Sequence, residues 1–333
     1  MNPAHRSMTP LSRRQLVARM AAAALLPVAS LPGRAQSVWP SRPIRIVVPF
    51  AAGSSVDIVA RVVSDPLARV LGQPVIVDNR AGASGIIGAD SAAKSPADGY
   101  TLLLSVNSIM CINPHVYQKL PYDAFKDFSA VTQAVRVPYV LIAGPQQPFR
   151  TVSDLLEQAR RKPGAVDYAS LGVGTAAHVV MEMMCNMANV RMNNVPYKGS
   201  PLTDLIAGQV AVTLEPVTTA IPMVKSGKVR ALAVTSKARL PSLPDVPTTA
   251  ETLPGFDGDG WQGFYLPAAT PKDITKRLNE EIVKALRLPE ASTRLGELGL
   301  QPVGDSVDEF ARVTRSDYDK WGRIVKANNI RIE

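Results

Sequence analysis

Short apolar runs alternate along the chain with stretches in which apolar residues return every three or four positions. IRIVVP at 44–49 is a run of strand type. After residues 50–55 come Val56, Val59, Ala60, Val63, Leu67, Val70 and Leu71 at helical spacing, the pattern of a helix with one buried face. PVIVD (74–78) and YTLLLSV (100–106) are two more buried-type strands, and 85–93 between them reads as a helix closed by Pro96-Ala97-Asp98-Gly99. A second set begins near Pro138: a strand at 139–143, a helix at 152–161 capped by Thr151 or Ser153, and a strand at 166–169. Gly172-Val173-Gly174-Thr175 then leads into a Met-rich helix at 176–187. Strands follow at 195–197, 210–214 and 229–235, then a Pro-rich irregular stretch (241–254) and a strand at 261–266. Two tail helices cover 271–286 and 307–328, with Pro271 suited to a first turn. Strand and helix alternating through Gly-rich connections predict two α/β lobes, each a parallel sheet covered by helices.

The chain has 333 residues, 46% hydrophobic and 20% charged, enough for a buried core and for two domains. Pro (28) and Gly (22) are plentiful but follow no short period, which excludes collagen, coiled coil and bulk disorder. The formal charge of +9 is concentrated at the start: 1–35 hold Arg6, Arg13, Arg14, Arg19 and Arg34 and no acid. The remainder carries 32 basic against 28 acidic residues, scattered with no run of five like signs, so no nucleic-acid partner is expected. Ser12-Arg13-Arg14-Gln15-Leu16-Val17 precedes an apolar stretch at 20–31 and the small-x-small pattern Gly33-Arg34-Ala35. This reads as an export signal of twin-arginine type, cleaved after Ala35. The apolar run is too short for a spanning helix, which needs roughly 20 residues. The expected location is the periplasm. Cys111 and Cys185 are too few for a disulfide framework or a zinc site and are expected to be two buried free thiols.

Two loops have the same construction, strand to Gly-rich turn to helix. Phe50-Ala51-Ala52-Gly53-Ser54-Ser55 opens the first helix and Ser170-Leu171-Gly172-Val173-Gly174-Thr175 the Met-rich one. Ligands of open α/β sheets collect at strand carboxyl ends, and a helix start offers free amide N–H groups to an anion. Gly172 and Gly174 would let backbone N–H groups approach a carboxylate. Ser54 or Ser55 could equally be an ordinary cap, with Asp57 in the first turn. Gly172, Gly174 and Ala177 match G-x-G-x-x-A, but the segment around Arg191–Val195 lacks the acid that a dinucleotide site requires. No G-x-S-x-G elbow exists, and His178 with Glu182 four residues on lacks a third metal ligand. No catalytic residue, metal or cofactor is expected.

From Trp39 onward the chain resembles the substrate-binding proteins of tripartite tricarboxylate transporters, the Bug receptors. The stretches that carry the resemblance are WPSRPIRIVVPFAAGSSVDIVAR (39–61), VIVDNRAGASGIIGA (75–89), SPADGYTLLL (95–104), YASLGVGTAAH (168–178), NVPYKGS (194–200), TDLIAGQV (203–210), GKVRALAVTS (227–236), LPDVPTTAE (243–251) and WQGFYLPAATP (261–271), in order and spacing. The resemblance implies a Venus-flytrap receptor of the type II periplasmic-binding-protein fold, each lobe a mostly parallel sheet. Lobe 1 would comprise 36–139 and 259–333 and lobe 2 140–258, with the ligand between them. It implies a monomer that hands a small carboxylate (a dicarboxylate, amino acid or aromatic acid) to the transporter's membrane subunits.

Carried over residue by residue, the implied binding set is Phe50, Ala52, Gly53, Ser54, Ser55 and Asp57 in the first loop, Ser84 after strand two and Asn107 after strand three. In the second lobe it is Ser170, Gly172, Val173, Gly174, Thr175, Ala176 and His178, with Tyr197 and Glu215. The chain departs from the family at Gly53-Ser54 and Ser84-Gly85, where Gly-Gly is common, and at Glu215, where aspartate is common. An exported α/β enzyme and a ligand-sensing partner of a signalling protein are the alternative readings.

Overall fold

The computed structural model describes residues 39–332, so the expected export signal at 1–35 and its cleavage point lie outside the described residues. The first stretch of chain runs β1 (Ile44–Val48), α1 (Ser55–Leu71), β2 (Val75–Asn79), α2 (Ile86–Ala93) and β3 (Thr101–Val106). A wide helical turn at Ser108–Ile112 continues into the short α3 (Asn113–Val116), and β4 (Phe128–Val137) follows. Pro138 then separates β4 from β5 (Tyr139–Ala143). The next elements are α4 (Val152–Arg161), β6 (Asp167–Ser170), α5 (Ala176–Ala188), β7 (Asn193–Pro196), α6 (Leu202–Ala207), β8 (Val212–Pro216), α7 (Val217–Lys225), β9 (Arg230–Val234) and α8 (Thr249–Thr252). The chain finishes with β10 (Gly260–Pro267), α9 (Lys272–Arg287), α10 (Pro289–Glu297), β11 (Gln301–Pro302) and α11 (Val307–Ala327).

These strands form two sheets, ordered β11-β4-β10-β3-β1-β2 and β7-β6-β8-β5-β9. Both are mixed: most strands of each run one way, as the resemblance implied, with antiparallel strands among them. β1 pairs parallel with β2 and β3, but β10 returns antiparallel between β3 and β4. In the second sheet β6 is parallel to β7 and β8, while β5 runs antiparallel to β8 and β9. Apart from the edge strand β11, which pairs antiparallel with β4, the antiparallel pairings involve strands on either side of the two passages between sheets, one at Pro138 and one just before Gly260.

Local chemistry accounts for the helix limits. Ser54 accepts the N–H of Asp57 to start α1, and Gly72, at φ 65°, ends it in the left-handed region that glycine adopts without penalty. Of the two caps open for α4, Thr151 is the one used, in a reciprocal pair with Asp154. Seven elements were not foreseen: α3, β4, α6, α7, α8, α10 and β11. In β4 the polar residues Thr132 and Gln133 interrupt any apolar alternation, yet both are buried. Asp305 resolves the conflict, because its carboxylate accepts the Gln133 N–H (2.7 Å) and the Thr132 hydroxyl (3.1 Å).

Three hydrogen bonds tie the passages together. Thr235, after β9, exchanges bonds with Tyr139: its Oγ1 accepts the Tyr139 N–H (2.8 Å) and its N–H goes to the Tyr139 carbonyl (2.9 Å). The Thr235 hydroxyl donates to the buried carboxylate of Asp259 at 2.6 Å. Cys111 and Cys185 are both buried and unbridged.

Strand β10 lies so close beneath α11 that Gly263 has no room for a side chain. A Cβ there would stand 2.1 Å from Cζ of Phe310. Gly263→Ala should therefore cost about 1–3 kcal/mol and lower the melting temperature by several degrees. Gly296→Ala, inside α10 with nothing within 4 Å of its Cβ, should be neutral or slightly stabilising. A thermal melt of both checks the packing; an unchanged melt for Gly263→Ala would contradict it.

Candidate functional site

The ends of β1, β3, β6 and β8 deliver their following loops to one cavity of about 380 Å³. From the first sheet's side come Phe50, Ser54 and Ser55, with Ser84 and Asn107. From the second come Ser170, Val173, Gly174, Thr175, Ala176 and Glu215. The remaining residues anticipated from the sequence, Ala52, Gly53, Asp57, Gly172, His178 and Tyr197, do not line it. Ala52 is exposed. Asp57 is buried and holds the loop: its carboxylate accepts the Gly53 N–H (2.9 Å), Arg61 Nε (2.9 Å) and Asn79 Nδ2 (3.0 Å). Burial opposes ionisation of Asp57, but these donors outweigh it and its pKa is lowered. Gly172 turns the second loop, its carbonyl accepting the Thr175 hydroxyl at 2.8 Å. Tyr197 donates to Asp204 at 2.9 Å.

His178 supports the second loop in a similar way. Its Nδ1 accepts the Gly174 N–H at 3.0 Å, so this N–H is not free for a ligand, contrary to the expectation from the sequence. Burial lowers the His178 pKa, which keeps Nδ1 an acceptor near neutral pH. Gly174 has a second role. At φ 78° it packs against α3 across the cavity, where a Cβ would come within 2.6 Å of Val116 Cγ1. Backbone strain marks the loop opposite, with Ala83 and Ser84 in the left-handed region (φ 47° and 53°). Ser84 is fixed there by Tyr117, which donates to its hydroxyl at 3.3 Å, and by Asn113 Nδ2, which donates to its carbonyl.

The two helix starts facing the cavity are not equivalent. At α1 the Ser54 side chain caps the first turn and the Asp57 charge offsets the positive end of the helix. At α5 the Thr175 side chain bonds backward to Gly172, so no side chain caps the helix and no acid sits in its first turn. The leading amides of α5, those of Ala176 and Ala177, have no partner within the helix. Two side-chain atoms in the wall are also unsatisfied: Nδ2 of Asn107 and Oε1 of Gln262, both in residues only 2% exposed. Gln262 Nε2 meanwhile donates to Ser55 at 2.9 Å.

Sequence reasoning missed Asn113, Tyr117, Val137, Tyr139, Thr213, Trp261 and Gln262 as wall residues. Tyr139, Trp261 and Gln262 lie beside the passages between sheets, and strand register alone brings them to the cavity. Phe50, Val106, Val137, Leu171 and Trp261 are among the apolar residues of the wall.

Glu215 stands apart. It is 7% exposed, and among the described residues no group donates to its carboxylate or pairs with it. Burial pushes its pKa up from 4.5 to about 7. In the folded protein the group is neutral at pH 5 and ionised at pH 8, whereas in the unfolded chain it is ionised above pH 4.5. Stability is thus lost as pH rises from 4.5 through about 7. Glu215→Gln should stabilise the ligand-free protein by about 1–3 kcal/mol at pH 8 and make little difference at pH 4.5. Denaturant titrations at the two pH values check this; a gain at pH 4.5 equal to that at pH 8 would contradict it.

Known proteins resemble this chain over most of its length. The model of the tripartite tricarboxylate transporter family receptor matches residues 59–330. A protein of Pseudomonas sp. (strain P51), encoded in the tcbD-tcbE intergenic region, is 38% identical over 319 residues, covering 95% of this chain and 94% of its own. Protein BugT of Bordetella pertussis is 35% identical, with 89% and 92% covered. Among solved structures, R. palustris Rpa4515 with adipate superposes with a TM-score of 0.80 at 34% identity, covering 88% of this chain and all of the other. MatC from Rhodopseudomonas palustris with bound malate gives 0.76 at 30%, covering 86% of this chain and all of its own. The matched family is one of receptors, and the solved structures share this chain's two-lobed fold, which sets aside the enzyme reading. The chain belongs to the tripartite tricarboxylate transporter receptor family.

Proposed function

We propose that this receptor binds a small carboxylate in the cavity between its two sheets and delivers it to the membrane subunits of a tripartite transporter. The observation that carries the reading is the uncapped start of α5, which opens into the same enclosed space as the unsatisfied Nδ2 of Asn107. Backbone amides at a helix start and a buried amide donor together suit a carboxylate, whose oxygens accept several N–H bonds at once. The relatives solved with adipate and with malate support that class.

In this reading lobe 1 is 36–139 with 259–333 and lobe 2 is 140–258. The lobes close on the ligand, and the contact of Gly174 with Val116 belongs to the closed state. The precursor is exported and cleaved after Ala35, and the mature protein works as a monomer. Of the residues drawn from the sequence, Phe50, Ser54, Ser55, Ser84, Asn107, Ser170, Thr175 and Ala176 contact the ligand. Gly53, Asp57, Gly172 and His178 hold the loops that present them.

Hexanoate and hexanamide, which differ only in the anionic group, test the reading by calorimetric titration. A hydrogen bond to a charged group is worth about 1.5–3 kcal/mol, and about 1.4 kcal/mol is tenfold in affinity. Hexanoate should therefore bind at least about tenfold more tightly than hexanamide, and Asn107→Leu should weaken hexanoate by a similar factor. Equal affinity for the acid and the amide would refute the carboxylate reading.

A further inference from the structure

The polar wall of the cavity is lopsided. Beyond the α5 amides, much of it is made of hydroxyl and amide groups that can turn a donor toward an anion: Ser54, Ser55, Ser84 and Asn107 among them. Among the described residues no lysine, arginine or histidine lines it, and the only carboxylate in the wall is Glu215, at the cavity end of β8. Its neighbour across on β5 is Val140, which offers no donor, and Thr213, two residues back, spends its hydroxyl on the Ala169 carbonyl at 3.1 Å. Tyr139 is the nearest titratable side chain on β5; its phenol is held neutral by burial and does not donate to Glu215 within the described residues.

A carboxylate in a residue only 7% exposed is normally paired or hydrogen-bonded. Here the described residues supply no partner, and Glu215 lines the cavity. We infer that Glu215 selects ligands that carry a cationic nitrogen in addition to their carboxylate, that is, amino carboxylates. One cavity would then complement both charges of a zwitterion: free N–H donors for its carboxylate and a single buried acceptor for its ammonium. A plain dicarboxylate would bring a second negative charge toward Glu215, and a plain fatty acid would leave Glu215 as it is. The inference rests on the reading of the cavity as a carboxylate site.

The test is a calorimetric panel at pH 8 using straight-chain carboxylates of four to six carbons. Each is taken unsubstituted, with an amino group on the α or the terminal carbon, and as the dicarboxylate. At least one amino form should bind about tenfold or more tightly than both its unsubstituted and its dicarboxylate counterparts. Glu215→Gln should bring that ratio below about threefold, and its binding of hexanoate shows that the variant is folded. If dicarboxylates bind most tightly, or if the amino preference survives in Glu215→Gln, the inference is wrong while the carboxylate reading stands. If no carboxylate in the panel binds, both fail together.

Discussion

Thr235 is the joint on which the cavity depends. Its backbone and side chain bond to Tyr139 on one passage between sheets, and its hydroxyl bonds to Asp259 on the other. The two passages are thereby held side by side, and the carboxyl ends of strands from both sheets face one space. Burial raises the pKa of Asp259 to about 6 against the Thr235 hydroxyl, so the carboxylate is ionised at neutral pH and the bond is charge-assisted. Tyr139 and Trp261, each beside one passage, both reach the cavity wall. The joint that orients the lobes is thus continuous with the surface that meets a ligand.

Within that frame, the chain has solved one problem twice with opposite results. Both loops join a strand to a helix through glycine and hydroxyl residues. At α1 the loop satisfies itself, with Ser54 as cap and Asp57 gathering three donors. At α5 the potential cap, Thr175, is drawn back to Gly172, and His178 takes the Gly174 N–H, which fixes the turn without covering the helix start. A self-satisfied helix start is a rigid wall, whereas an open one is a binding group. The asymmetry gives the cavity a polarity that the similarity of the two loops conceals.

Much of this was legible in the sequence, and the illegible part has a common cause. The strands β1, β3 and β5 and the helices α1 and α5 follow from apolar spacing, and both loops from glycine between strand and helix. β4 was hidden because Thr132 and Gln133 look like solvent-facing residues until Asp305, far away in sequence, is seen to satisfy them. His178 and Asp57 have the chemistry of ligand-facing groups, yet their partners lie within four residues or, for Asn79, on the neighbouring strand. Residue type shows what a side chain could bind but not whether the fold has already used it. Glu215 is the converse: a position read only through family resemblance becomes informative once its lack of a partner is visible.

The central claim is that the open start of α5, rather than the capped start of α1, receives the ligand's carboxylate. Backbone amide NMR during titration with hexanoate tests it most directly, because a hydrogen bond to an anion moves an amide proton downfield. The account predicts large downfield shifts for the amides of Ala176 and Ala177 and only small changes for Ser55 and Val56. Shifts confined to Ser55 and Val56, with Ala176 and Ala177 unmoved at saturation, would contradict it.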